Sequence, residues 1–135
     1  MNLMSLKSLS TWIHLLSMIG TFGALLFYQF GLSRAQRDDL DLARRLGRVC
    51  NLLIGIGFVA GLAGYYFTMK ISGGGVPGRF HMTVGVKFIL LLGIGACLGV
   101  GGAMHKKGNT ELASHLRWGA LGLLALAAFL GEWWL

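Results

Sequence analysis

Hydrophobic positions in this chain come in long runs, not in the alternation of a half-buried strand or the narrow stripe of a soluble amphipathic helix. Four segments result: Ser8 to Ser33, Val49 to Met69, Gly85 to His105 and Trp118 to Gly131, and the only formal charge inside them is Lys87. Each approaches the ~20 residues that cross about 30 Å of hydrocarbon, the last one when it is extended into the preceding loop and on to Leu135. The pattern predicts an all-α, integral membrane four-helix bundle formed by one domain, 1–135, with helices over 9–33, 47–69, 81–104 and 113–134.

Composition agrees with a bilayer as solvent. Apolar residues make up 55% of the chain, charged residues only 13%, and there are 22 glycines; mean hydropathy is +0.67. The first segment is too long for a signal peptide and lacks a small-residue cleavage site before the next charges, so it is expected to stay as a membrane helix. A net charge of +7 raises nucleic acid as a partner, but the basic residues sit in short loops between apolar runs, where topology accounts for them.

Those loops set the expected orientation. Arg34, Arg37, Arg44, Arg45 and Arg48 follow the first segment, and Lys106, Lys107 and Arg117 follow the third, against Lys7, Lys70 and Arg79 on the other side. A bias of eight to three puts both basic loops in the cytoplasm and both termini on the non-cytoplasmic side, the arrangement expected in a bacterial inner membrane. Asp41 and Arg45 stand at i,i+4 spacing, so the second helix is expected to project beyond the bilayer. On the other side, "GGGVPG" is a turn between helices two and three.

Small residues mark where helices approach. Gly57 with Gly61, and Gly95 with Gly99, are small-xxx-small pairs that either let backbones pack closely or make room for a flat macrocycle. Cys50 and Cys97 have no metal-type spacing and read as small core residues or thiols.

Sorting the polar residues by depth yields a candidate site. A lysine near the centre of a membrane helix costs roughly 2.5 to 3.5 kcal/mol, so Lys87 calls for a partner. His14, on a face with Ser17, Thr21 and Ala24, lies at a similar depth from the same surface. His81 and Arg79 stand just above Lys87, and Glu132 ends the last helix with Trp133 and Trp134, so one outer pocket is expected to gather His14, Lys87, His81, Arg79 and Glu132. His105 and His115 lie a membrane thickness away. His14 is either a packing residue or an axial ligand of haem iron; Lys87 either snorkels to the interface, pairs with Glu132, or serves the same cofactor.

"WIHLLSMIGTFGALLFY", "ARRLGRVCNLLIGIGFVAGLAGYY", "GVKFILLL" and "LRWGALGLLALAAFL" together resemble the small four-helix membrane family of HemJ-type protoporphyrinogen oxidases and CopD-like membrane domains. The resemblance spans nearly the whole chain. It implies haem b held by His14 and Lys87, with a redox role on a porphyrin or quinone-like molecule. Two positions depart from the HemJ pattern: Gly85 and Val86, rather than histidine, precede Lys87, and the later histidine is the more distant His105. Gly78, Arg79 and Lys87 are similar to the CopD pattern, and with Met82 beside His81 they keep a copper-linked role open. The remaining class is a non-catalytic accessory subunit of a larger membrane complex or a homo-oligomer, its glycine-rich helices used for packing. No hydrolytic constellation is present, because the serines lack a level histidine and carboxylate.

Overall fold

The structure is a computed structural model and describes residues 2–75 and 77–134, with side chains up to residue 130. All its elements are helices: α1 (Leu3–Phe30), α2 (Arg34–Asp38), α3 (Leu40–Ser72), α4 (Gly78–Lys106) and α5 (Thr110–Trp134). The four longer ones are long and apolar enough to cross a membrane. At 1.5 Å per residue the 33 residues of α3 extend about 50 Å, well beyond a hydrocarbon core. Its overhang is the basic segment, where Arg45 Nε approaches Asp41 Oδ2 at 3.5 Å.

Local sequence explains the element ends. The Asn2 side chain accepts from Ser5 N and starts α1 six residues before the apolar run suggests. Ser33 and Gln36 form a reciprocal capping box that nucleates the short α2. Asp39 caps α3. At the far end, Gly73 and Gly74 take φ of 62° and 86°, a left-handed conformation that stops α3 at little cost for glycine. Pro77 then stands at the N-cap of α4, where its missing N–H is not needed.

α1 packs along α3 and α4 along α5; α3 touches α4 and α5 touches α1, so α1 and α4 stand diagonally across the bundle. Between helices the hydrophobic effect is weak in lipid, and contact rests on close backbone approach. Gly57 and Gly61 do what their spacing suggests: a Cβ on Gly57 would stand 3.2 Å from Ser17 Cβ, and one on Gly61 3.0 Å from His14 Nδ1. Gly95 and Gly99 do not, since a Cβ on either meets nothing within 4 Å. The close approach of α4 to α5 uses Gly93 against Leu123, Cys97 against Gly119 and Gly101 against Leu116. A two-residue offset turns a helix by about 200°, so the expected pair lies on the opposite face.

The apolar core is Leu25, Cys50, Ile94, Ala120, Leu121 and Leu124. Outward-facing Ile19, Leu52, Val59 and Ile89 are each more than 60% exposed, a surface that suits lipid and not water.

Candidate functional site

One stripe organises α1. Ser10, Ser17, Thr21, Leu25 and Tyr28 are buried along it, and half-buried His14 belongs to the same face. The His14 ring rests on Gly61, with Nδ1 2.7 Å from the Gly57 carbonyl oxygen. A carbonyl only accepts, so Nδ1 carries a proton, and in the neutral ring Nε2 is the nitrogen that holds the lone pair. A backbone carbonyl that fixes the tautomer and orientation in this way is the usual support of a metal-bound histidine.

Lys87 lies on the diagonal helix, α4. Seven residues return a helix to within about 20° of the same face. Lys87 therefore shares a face of α4 with Ile94 and Gly101, both buried, and with buried His105 one turn further on. Its own side chain is half-buried and has no hydrogen-bond or ion-pair partner among the described residues. Contacts between α3 and α4 fix its depth: Phe58 meets Phe88 at 5.9 Å and Tyr65 meets His81 at 5.8 Å between ring centroids. This antiparallel register sets Lys87 opposite Val59, midway between the glycines that hold His14. The two residues stand at one level, each on the inward face of its helix.

Two other members of the expected outer pocket, His81 and Arg79, are not gathered with them. His81 is exposed and its Nδ1 lies 2.7 Å from Tyr65 Oη, beside Phe80 in a small aromatic group between α3 and α4. Six residues separate His81 from Lys87, which places them about 120° apart round α4. Arg79 is exposed in the first turn of that helix. The side chains of Glu132, Trp133 and Trp134 lie outside the described residues.

The opposite end holds a polar group that sequence reading treated only as a topology signal. Arg117 is buried; its Nε donates to Gln29 Oε1 at 2.8 Å and its guanidinium stacks on the Tyr28 ring at 4.5 Å. Gln29 Nε2 donates to Ser114 Oγ at 3.0 Å, Arg37 donates to the Gln29 carbonyl at 2.9 Å, and Tyr28 Oη donates to the Arg37 carbonyl. His105, 4% exposed, lies 3.0 Å through Nε2 from the Asp38 carbonyl, while its buried Nδ1 has no partner among the described residues. These bonds tie the loop after α1 to the start of α5 and the end of α4. The stripe through His14, Ser17 and Thr21, carried on to Tyr28, points to this group.

Among the described residues no three His, Cys, Asp or Glu side chains come together as a metal cage. The fold and its polar positions define an all-α chain of four potential membrane-spanning helices, with an inward histidine and lysine at one level and a buried arginine network toward the basic loops. No family model matches the chain, and no curated protein or solved structure matches it either.

Proposed function

We propose that this chain is a haem-b-binding integral membrane protein with a redox or electron-transfer role, in which His14 Nε2 ligates the iron and Lys87 serves the same cofactor from across the bundle. The observation that carries this reading is the His14 hydrogen bond to the Gly57 carbonyl, which leaves a ligating nitrogen oriented and available. Lys87 supports it by depth and facing.

The donor set also favours haem over a bare copper ion. A bare ion in a protein cage takes most of its ligands from side chains, whereas a porphyrin brings its own ring nitrogens and asks the chain for only one or two axial groups. When bound, haem supplies one-electron exchange at its iron. The chain's part would be to orient the ligand through Gly57 and to offer the Lys87 ammonium to a carboxylate on the cofactor or its substrate. Porphyrinogens and quinone-like molecules are the substrate classes consistent with an entry from lipid.

Orientation and location complete the proposal. Both termini face away from the cytoplasm and the basic loops face into it, in a bacterial plasma membrane, as the positive-inside bias supports. An absorption spectrum of the purified full chain tests the cofactor: a Soret band and a stoichiometric haem are expected, and a protein purified from haem-replete cells without either would overturn the reading.

A further inference from the structure

Arg117 is buried at 6% exposure, yet most of its hydrogen-bonding capacity goes unused within the chain. A guanidinium carries five N–H donors. Nε gives its one to Gln29 Oε1, and the Tyr28 ring covers one face at 4.5 Å. The two terminal nitrogens, with four donors, have no acceptor among the described residues, and no carboxylate there forms an ion pair with them. Asp38, in the adjoining loop, is exposed, and Arg37 adds positive charge through its bond to the Gln29 carbonyl. Burying a charge is costly unless it is paired and hydrogen-bonded.

The open donors have a space to face. Arg117 lines a cavity of about 270 Å³ between α3 and α4 at the basic end, and its terminal nitrogens are not sealed in by protein as His105 Nδ1 is. Glycine makes the space: Gly47, Gly99 and Gly102 line it, and a Cβ on any of them would meet nothing within 4 Å. Gly101 packs on Leu116, so Arg117 sits about a turn deeper than Lys106, which stands exposed with Arg44 at the mouth. Among the described residues no acidic side chain lines the cavity. A planar carboxylate meets one arginine fork, whereas a tetrahedral phosphate can turn oxygens toward Arg117 and toward the two cations at the rim.

We infer that this cavity binds an anionic phosphate group, with Arg117 as its deep anchor and Arg44 and Lys106 at the rim. Two sources share this chemistry. One is the headgroup of an anionic phospholipid, whose chains would leave the mouth along α3 and α4; basic pockets between membrane helices suit such headgroups. The other is a free phosphate. The volume is below the range of drug-sized ligand pockets, about 300–1,000 Å³, which suits either and excludes a macrocycle. The inference stands apart from the haem reading, since it uses neither His14 nor Lys87.

Native mass spectrometry of the detergent-purified full chain, titrated with phosphatidylglycerol or zwitterionic phosphatidylcholine, tests it beside thermal unfolding in inorganic phosphate at constant ionic strength. Gly102→Leu fills the cavity and alters no charge, so it separates the site from general attraction to a basic surface. It should weaken phosphatidylglycerol at least about tenfold, the scale of one lost charge-assisted hydrogen bond. Gly95→Leu, on the same helix at a position that is also open but does not line the cavity, should bind as wild type does. Arg44→Gln should weaken phosphatidylglycerol about threefold, the scale of an exposed ion pair, and leave phosphatidylcholine unchanged. A preference for phosphatidylglycerol that millimolar phosphate does not displace identifies the lipid; displacement, or a phosphate-dependent rise in melting temperature that Gly102→Leu abolishes, identifies the free anion. Equal retention of both lipids with no such rise, or wild-type behaviour of Gly102→Leu, overturns the inference.

Discussion

Gly61→Ala is the smallest change that reaches the proposed iron ligand without touching it. The added Cβ would lie 3.0 Å from His14 Nδ1 and 3.2 Å from Cε1, against ordinary contact at 3.4–4 Å. The ring must retreat by a few tenths of an ångström, and the hydrogen bond that holds it is already short at 2.7 Å. Overpacking costs about 1–3 kcal/mol, and lengthening or bending that bond forfeits part of its net worth of about 1 kcal/mol. The variant should therefore lose about 1–3 kcal/mol of stability and, because the imidazole is turned from its set direction, most of its bound haem. Gly64→Ala is the control, one turn along the same face. Its Cβ would stand 3.9 Å from Ser10 Cβ, an ordinary contact, and alanine gains up to about 1 kcal/mol in helix propensity. Denaturant titration in detergent and the haem-to-protein ratio read both quantities. If Gly61→Ala and Gly64→Ala behave alike in the two assays, the Gly61 seat is not what orients His14.

Three further outcomes are expected. With Cys50 and Cys97 replaced, a cysteine at Ser72 should react with an impermeant maleimide on intact cells and one at Ala35 should not; the reverse pattern would invert the topology. Arg117→Leu should cost about 2–4 kcal/mol in unfolding, from an unpaired Gln29 acceptor and the lost stacking on Tyr28, and a change below about 0.5 kcal/mol would mean that the buried network contributes little. Lys87→Arg should keep bound haem and Lys87→Met should lose most of it, because a half-buried side chain level with His14 is placed to pair with a carboxylate as a cation; retention by Met alone would make Lys87 an iron ligand instead.

Four helices long and apolar enough to span a membrane were legible because length and charge spacing alone carry that signal, and so was the inward stripe of α1 through His14, Ser17 and Thr21. Element ends were less so. α1 begins six residues early because Asn2 caps it, and capping acts through one side chain, not through a hydrophobic run. The Gly95/Gly99 pair shows the limit of motif spacing: the small-residue pattern recurs on more than one face of a glycine-rich helix, and only the position of α5 selects Gly93, Cys97 and Gly101. Depth alone groups His81 with Lys87, yet its angle round the helix sends it to Tyr65. The Arg117 network stayed hidden because an arginine near a membrane helix end reads first as a topology signal, and its burial depends on Gln29 and Ser114 from distant segments.

If one histidine, His14, holds the proposed haem, the most direct measurement of it is the haem-to-protein ratio of wild type, His14→Ala, His105→Ala and His115→Ala after identical purification. Wild type and the two variants at the basic end should carry equal haem, and His14→Ala should carry almost none while still purifying as a folded membrane protein. Full haem in His14→Ala, or loss confined to His105→Ala, would contradict the account and move the site to the other end of the bundle.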